Sequence, residues 1–215
     1  MWHTDAVVID FDDTIAASFD VHSNTLSKAL GHFGYRVNRS ILEDYWGQQF
    51  PQLIRSLAPQ IDYDAFLQHY YHVMNAASPR LLPGAFEFLE AMHSRRIVTV
   101  VHSSSLTQLI WQDLRTLAID HLILDVFGSD RTVTTKPDPT SMDVVREYLS
   151  KRGCDLSKSL YVGDSVRDFM VARGNGMPFV AIGTGLNKLP EFRAAGYHNR
   201  VFDSLSDLLK AECEG

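Results

Sequence analysis

Ala6-Val7-Val8-Ile9-Asp10-Phe11-Asp12-Asp13-Thr14-Ile15 sets two opposed signals side by side. Four consecutive apolar residues, two of them valine, predict a strand buried on both faces. Three carboxylates follow at once: Asp10, Asp12 and Asp13. Charge clustered at the edge of a dry core is costly unless something pairs it. A bound cation and a catalytic task are the usual compensations, and both fit here.

Downstream of this stretch the pattern is helical. Leu26, Leu30 and Phe33 form one stripe, Phe50, Leu53, Ile54 and Leu57 a second, and Phe66, Leu67, Tyr70, Tyr71 and Met74 a third. Ile41, Leu42 and Tyr45 suggest a shorter helical turn, and no convincing strand is expected between residues 16 and 80. After Pro83-Gly84 the character changes. A helix over 84–95, with Ala85, Phe88, Leu89 and Met92 on one side, leads into alternating segments. Strands are expected at 97–101, 122–127, 160–162 and 179–182, and helices at 105–117, 140–152, 165–174 and 204–212, the last with Ser204 as N-cap. Such alternation implies a mostly parallel sheet with helices on both faces, interrupted after its first strand by an all-helical block.

The bulk properties narrow the class. A hydrophobic fraction of 45% over 215 residues is that of a globular protein with room for a core and an insertion. A net charge of −6, with a pI near 5.8, argues for solubility and against a nucleic-acid partner. The N-terminus lacks the positive start of a signal peptide, and no apolar stretch approaches membrane-spanning length, so a cytoplasmic protein without a membrane partner is expected. Cys154 and Cys213 have no metal-ligand spacing and read as reduced thiols without a role.

In an open parallel sheet ligands bind beyond the carboxyl ends of the strands. Asp10 and Asp12 follow the first strand; His102, Ser103, Ser104 and Ser105 follow the second. Lys136-Pro137-Asp138-Pro139 lies beyond the third, and Gly163-Asp164-Ser165, then Asp168, beyond the fourth. Carboxylates, hydroxyls and an ammonium from four strand ends suit phosphoryl transfer. Mg²⁺ takes oxygen ligands and keeps several waters, so Asp10 and Asp164, with a carbonyl at Asp12, are candidate metal ligands. Lys136 and Ser103 would hold the remaining phosphoryl oxygens. Asp10 is the candidate nucleophile and Asp12 the candidate acid and base, two neighbouring carboxylates separated in role by environment.

These four ordered stretches resemble the motifs of the haloacid dehalogenase-like superfamily, and Leu82-Pro83-Gly84 also matches it. The resemblance implies an α/β fold: a Rossmann-like parallel sheet core (residues 1–15 and 82–215), an inserted α-helical cap domain (16–81) and Mg²⁺ dependence. The cap would open and close on hinges at 16–18 and 78–83. The second motif aspartate, Asp12, is absent from the dehalogenases proper and favours phosphatases and phosphomutases. Capped members often continue the first motif as Asp-Ser-x-x-x-His. Here Ala17-Ser18-Phe19-Asp20-Val21-His22 keeps only the serine and the histidine. Members resembling β-phosphoglucomutase carry a basic residue in the cap loop after a glycine, whereas Trp46-Gly47-Gln48-Gln49-Phe50 has none.

The expected activity is Mg²⁺-dependent hydrolysis of a small phosphorylated metabolite: a sugar phosphate, phosphoglycolate or a nucleoside monophosphate. A phosphomutase and a non-catalytic binding protein are the alternatives, and a monomer or homodimer the expected state. Several residues carry two readings. Ser103 could cap the following helix, His22 could be a satisfied interdomain histidine, and Trp46 could be ordinary cap core. Gln48, His102 and Ser104 are candidate substrate contacts beside His22 and Trp46. Asp168 belongs to the candidate metal set, more as an orienting residue for Lys136 or a metal-bound water than as a direct ligand. Asp13 is expected to offer its backbone N–H to phosphate.

Overall fold

The computed structural model describes residues 4–46, 48–74 and 79–214, without the side chains of Cys213 and Glu214. Strand β1 (Ala6–Ile9) leads through β2 (Ala16–Ala17) into four helices, α1 (Phe19–His32), α2 (Arg39–Tyr45), α3 (Phe50–Leu57) and α4 (Tyr63–Met74). The chain returns along β3 (Arg80–Leu81) to α5 (Ala85–Ser94), β4 (Val98–His102), α6 (Thr107–Thr116) and β5 (Asp125–Phe127). It continues through α7 (Asp143–Ser150), β6 (Leu160–Gly163), α8 (Val166–Gly174) and β7 (Phe179–Ile182). Helix α9 (Leu189–Ala194), strand β8 (Val201–Phe202) and helix α10 (Leu205–Glu214) follow.

Six strands form one parallel sheet in the order β5-β4-β1-β6-β7-β8. The chain builds outward from β1 to β5, then crosses back and builds the other way from β6. That reversal opens a crevice beyond the carboxyl ends of β1 and β6. Register sharpens it, because Ile9 sits opposite both Val101 and Val162. The three strands therefore leave the sheet level with one another, and Asp10, Ser103 and Asp164 emerge together.

The apolar run in β1 is explained by its two covered faces. Val7 and Ile9 pack with Phe88, Met92 and Ile110 on one side, and Ala6 and Val8 with Val145, Phe169 and Phe192 on the other. Helices α1–α4 keep a core of their own, in which Leu26 and Leu30 meet Phe50, Ile54, Phe66 and Tyr70. Burying each such side chain stabilises by roughly 1.5–3 kcal/mol. Leu109 of α6 joins this cluster from the sheet side.

The two crossings between core and insertion run side by side as an antiparallel ribbon, Ala16 opposite Leu81 and Ala17 opposite Arg80. The expected hinges fall on and beside this ribbon, and Ser78 lies outside the described residues. Gly84, just beyond it, has a φ of 82° and packs so close to α10 that a Cβ would lie 2.2 Å from the Ser206 nitrogen.

Some elements depart from the sequence reading. The strand expected at 122–127 shrinks to β5, because Asp120–Leu122 forms a 3-10 turn. The helix expected from residue 140 begins as a 3-10 turn, Pro139–Met142, capped by the Asp138 side chain, and α7 starts at Asp143. Strands β2, β3 and β8, of two residues each, are too short to carry a period. Helix α9 follows Lys188 with proline in its first turn and was not expected. Among the described residues no helix is long and apolar enough to cross a membrane.

Candidate active site

A cavity of about 270 Å³ opens where the sheet crevice meets α1–α4. Its core side carries Asp10, Asp12, Ser103, Ser104, Lys136 and Asp164. His22, Trp46 and Gln48 face it from the insertion, and Gly47 between the last two lies outside the described residues. The strand ends account for the first group; α1 and the loop after α2 account for the second.

Lys136 holds the centre together. Its ammonium donates to Asp10 Oδ1 at 2.8 Å and to Asp168 Oδ1 at 2.6 Å, almost wholly out of solvent. Burial alone would pull this amine down, but the two carboxylates outweigh it and hold Lys136 well above its usual range. Asp10 is pushed up to about 7, mainly by burial; Lys136 pulls it back, and the charges of Asp168 and Asp12 add to the rise. Asp164 is likewise held well above the carboxylate range, by burial and then by Asp10 and Asp168. Thr14 donates to its Oδ1 at 3.0 Å. Asp10, Asp164 and Asp168 bring a carboxylate oxygen each within 4.8 Å of one another. Three buried carboxylates against one ammonium make an all-oxygen donor set that could hold a metal ion.

Not every member of that group is equally available. Asp168 spends Oδ1 on Lys136 and the Tyr161 hydroxyl, and Oδ2 on the Ser165 backbone N–H and hydroxyl. Its geometry is that of a side chain orienting Lys136 and capping α8. Asp12, expected to serve a metal through its backbone carbonyl, keeps its side chain outside the cluster. Its Oδ2 accepts from Ser103 Oγ at 3.1 Å and Ser105 Oγ at 2.6 Å instead. Its Oδ1 is buried without a hydrogen-bond partner, on the cavity wall 3.8 Å from His22 Nε2.

His102 corrects an expectation. It is 1% exposed and lies off the cavity wall, its Nδ1 2.9 Å from the Tyr161 hydroxyl. Burial, then the Lys136 charge, pushes its imidazole well below the usual range. As the last residue of β4 it points to the sheet face opposite Val101, where the Tyr161 hydroxyl links it to Asp168. Asp13 also differs. Its N–H is used by Ala16 O at 2.8 Å, while its side chain accepts from the Ser18 and Phe19 N–H groups and from Trp46 Nε1 at 3.2 Å. Its φ of 57° is rarely adopted by residues other than glycine and sets the sharp turn after the first motif. Burial lifts its carboxyl to about 6.

Further residues, given no role in the sequence reading, surround the site. Ser105 makes the shorter bond to Asp12. Asp113, 2% exposed on α6, lies 3.5 Å from His22 Nε2, while Tyr70 OH lies 3.3 Å from Nδ1. Burial works against a charged His22, but Asp113 and Asp12 outweigh it and raise its imidazole above the ordinary value. One signal for Asp113 was present: it falls within the buried stripe Leu109, Ile110, Leu114 of its helix. Gly185 shapes the other flank. A Cβ there would sit 1.6 Å from Asp164 Oδ2, so the backbone must pass bare.

The chain belongs to the haloacid dehalogenase-like hydrolases, a family that matches residues 7–182. It is 31% identical over 219 residues to the phosphoglycolate phosphatase of Rhodospirillum rubrum, spanning 94% of this chain and 88% of that one. The match to the phosphoglycolate phosphatase of Mannheimia succiniciproducens is 29% identical over 66% of this chain and 62% of the other. A hydrolase from Pseudomonas syringae shares the fold at a TM-score of 0.80, with 21% identity and 99% of both chains covered. The enzyme class is therefore that of a hydrolase with phosphatase relatives.

Proposed function

We propose that this hydrolase is a Mg²⁺-dependent phosphatase acting on a small phosphorylated metabolite through an aspartyl-phosphate on Asp10. The observation that carries the reading is Asp12. One of its oxygens is held by Ser103 and Ser105; the other, buried and unpartnered, faces the cavity two residues from Asp10. A carboxyl group fixed on one side and open on the other suits proton transfer.

In the first step an Asp10 oxygen attacks phosphorus, and the bond to the leaving alcohol breaks as Asp12 delivers a proton to that oxygen. In the second, Asp12 takes a proton from water, which attacks phosphorus and frees the Asp10 carboxylate. Lys136 neutralises Asp10 and reaches toward the phosphoryl oxygens, with Ser103 and the Ser104 backbone region beside it. Asp168, Tyr161 and His102 hold Lys136 in place. Asp10, Asp164 and the Asp12 carbonyl would hold Mg²⁺, which when bound balances the carboxylates against the incoming phosphate dianion. His22, Trp46 and Gln48 would meet the leaving group. A phosphomutase needs the cap to hold the phosphorylated sugar while it reorients, and the loop from Trp46 to Phe50 supplies no basic residue for that.

Asp10→Asn should leave no measurable phosphate release from p-nitrophenyl phosphate; turnover in a clean preparation of that variant would sink the nucleophile assignment. Asp12→Asn should lower kcat by about 10²–10⁴. Because Asp12 stands outside the carboxylate cluster, this variant should still show stabilisation by Mg²⁺ in a thermal melt.

A further inference from the structure

We infer that the leaving group of the substrate carries no negative charge, so that phosphate esters of uncharged or cationic alcohols are cleaved in preference to carboxylated ones. The inference rests on the phosphatase reading above and concerns the far wall of the same cavity.

That wall comes from α1–α4 and differs in kind from the core side. Leu26, Phe50 and Leu53 line it with apolar surface, continued by Leu109 of α6. Trp46 and Gln48 flank this patch, and Glu43 and Asp44 stand on the wall beside them. Among the described residues of the insertion, no lysine or arginine lines the cavity. Gly47 and residues 75–78, outside the described set, are neither by sequence.

Three of the nearby cations already have carboxylate partners. His22, among the described residues the one cavity-lining side chain of the insertion able to carry positive charge, is matched by Asp113 at 3.5 Å and Asp12 at 3.8 Å. Arg39 bonds Glu43 and Asp20 and does not line the cavity. Lys136 is enclosed by Asp10 and Asp168 at the phosphoryl end. Arg167 lines the cavity from the core half, next to Ser165 at the start of α8.

A carboxylate seated against the far wall would exchange water for leucine and phenylalanine side chains and meet Glu43 and Asp44 as like charges. Both effects disfavour it, since a buried charge needs a partner and the described residues of the insertion offer no lysine or arginine. An alcohol without charge avoids both, and its hydroxyls find acceptors on Gln48, Glu43 and Asp44. A cationic alcohol gains attraction from the same two carboxylates and from the face of Trp46. The cavity, about 270 Å³, lies just below the size range usual for small-molecule sites.

The test compares kcat/KM for glycerol 2-phosphate and phosphoethanolamine with that for 2-phosphoglycolate and 3-phosphoglycerate, all with Mg²⁺. The uncharged or cationic leaving groups should lead by about tenfold or more. Calorimetric binding of the same esters to the Asp10→Asn variant should follow the same order. Asp44→Lys, a change at an exposed position, should narrow the ratio about threefold or more by favouring the carboxylated esters. Equal or better turnover of 2-phosphoglycolate would overturn the inference and leave the phosphatase reading standing. An unchanged ratio in Asp44→Lys would also count against it. Hydrolysis of none of the four, nor of p-nitrophenyl phosphate, would remove the phosphatase reading and this inference with it.

Discussion

The two halves of the cavity treat charge in opposite ways. On the sheet side Asp10, Lys136, Asp164 and Asp168 are packed out of solvent and gathered from three strand ends, with Asp10 and Asp168 held by Lys136 and Asp164 by Thr14. On the insertion side charge is kept to the rim: Asp44 is exposed, Glu43 is shared with Arg39, and the surface between them and α4 is leucine and phenylalanine. A buried ion cluster resists change because removing one member strands the others. An apolar wall tolerates substitution of similar volume. One half is therefore built to keep a reaction constant, and the other can change the group it receives.

The largest expected effect tests the rigid half. Lys136→Met leaves Asp10 and Asp168 buried without their shared cation, a loss of about 3–5 kcal/mol in stability. For a chain of this size that is roughly 6–20 °C in Tm, read by calorimetry. A drop no larger than that of an average surface mutation would show the cluster to be looser than its geometry. Activity should vanish in the same variant.

A smaller effect probes whether the carboxylate cluster is a metal site. Saturating Mg²⁺ at about 100 times its Kd should stabilise the protein by about 2.7 kcal/mol. Gly185→Ala pushes a methyl group into Asp164 Oδ2 and should weaken that Mg²⁺ effect about 10–100-fold in apparent affinity. Melting curves over a Mg²⁺ series measure both. An unaltered titration in the alanine variant would place the ion elsewhere.

The smallest effect belongs to the seam between the halves. Trp46→Phe keeps an aromatic ring, though a smaller one, and removes the N–H that reaches Asp13, a loss of about 1 kcal/mol in whatever holds the insertion over the core. KM should rise several-fold with kcat nearly constant. A fall in kcat with KM unchanged would instead tie Trp46 to the chemical step.

How far each half could be read in advance follows the same division. The apolar run of β1 and the polar residues after β1, β4 and β6 announced the sheet and gathered Asp10, Asp12, Ser103 and Asp164, because parallel strands in register must end at one level. Lys136, beyond β5, came with the same pattern. His102 misled. It ends a strand as Ser103 nearly does, yet alternation sends its ring to the opposite face, where Tyr161 takes it up. Asp113 went unnoticed inside a helical stripe because its partner, His22, is 91 residues away and meets it only when α1 settles over α6.

Sequence alone determined the alternating parallel core, the helical insertion and the acids and amine that strand ends would expose, since these depend on local periodicity and on one topological rule. Only the tertiary structure decided the rest. It settled Lys136, one of two partners the sequence offered, beside Asp168, turned Asp12 toward Ser103 and Ser105, and set His22 between two carboxylates. It also put leucine and phenylalanine on the far wall of the cavity and, among the described residues, no lysine or arginine from the insertion. These outcomes rest on pairings between side chains tens of residues apart, and no local pattern encodes which oxygen a distant donor will reach.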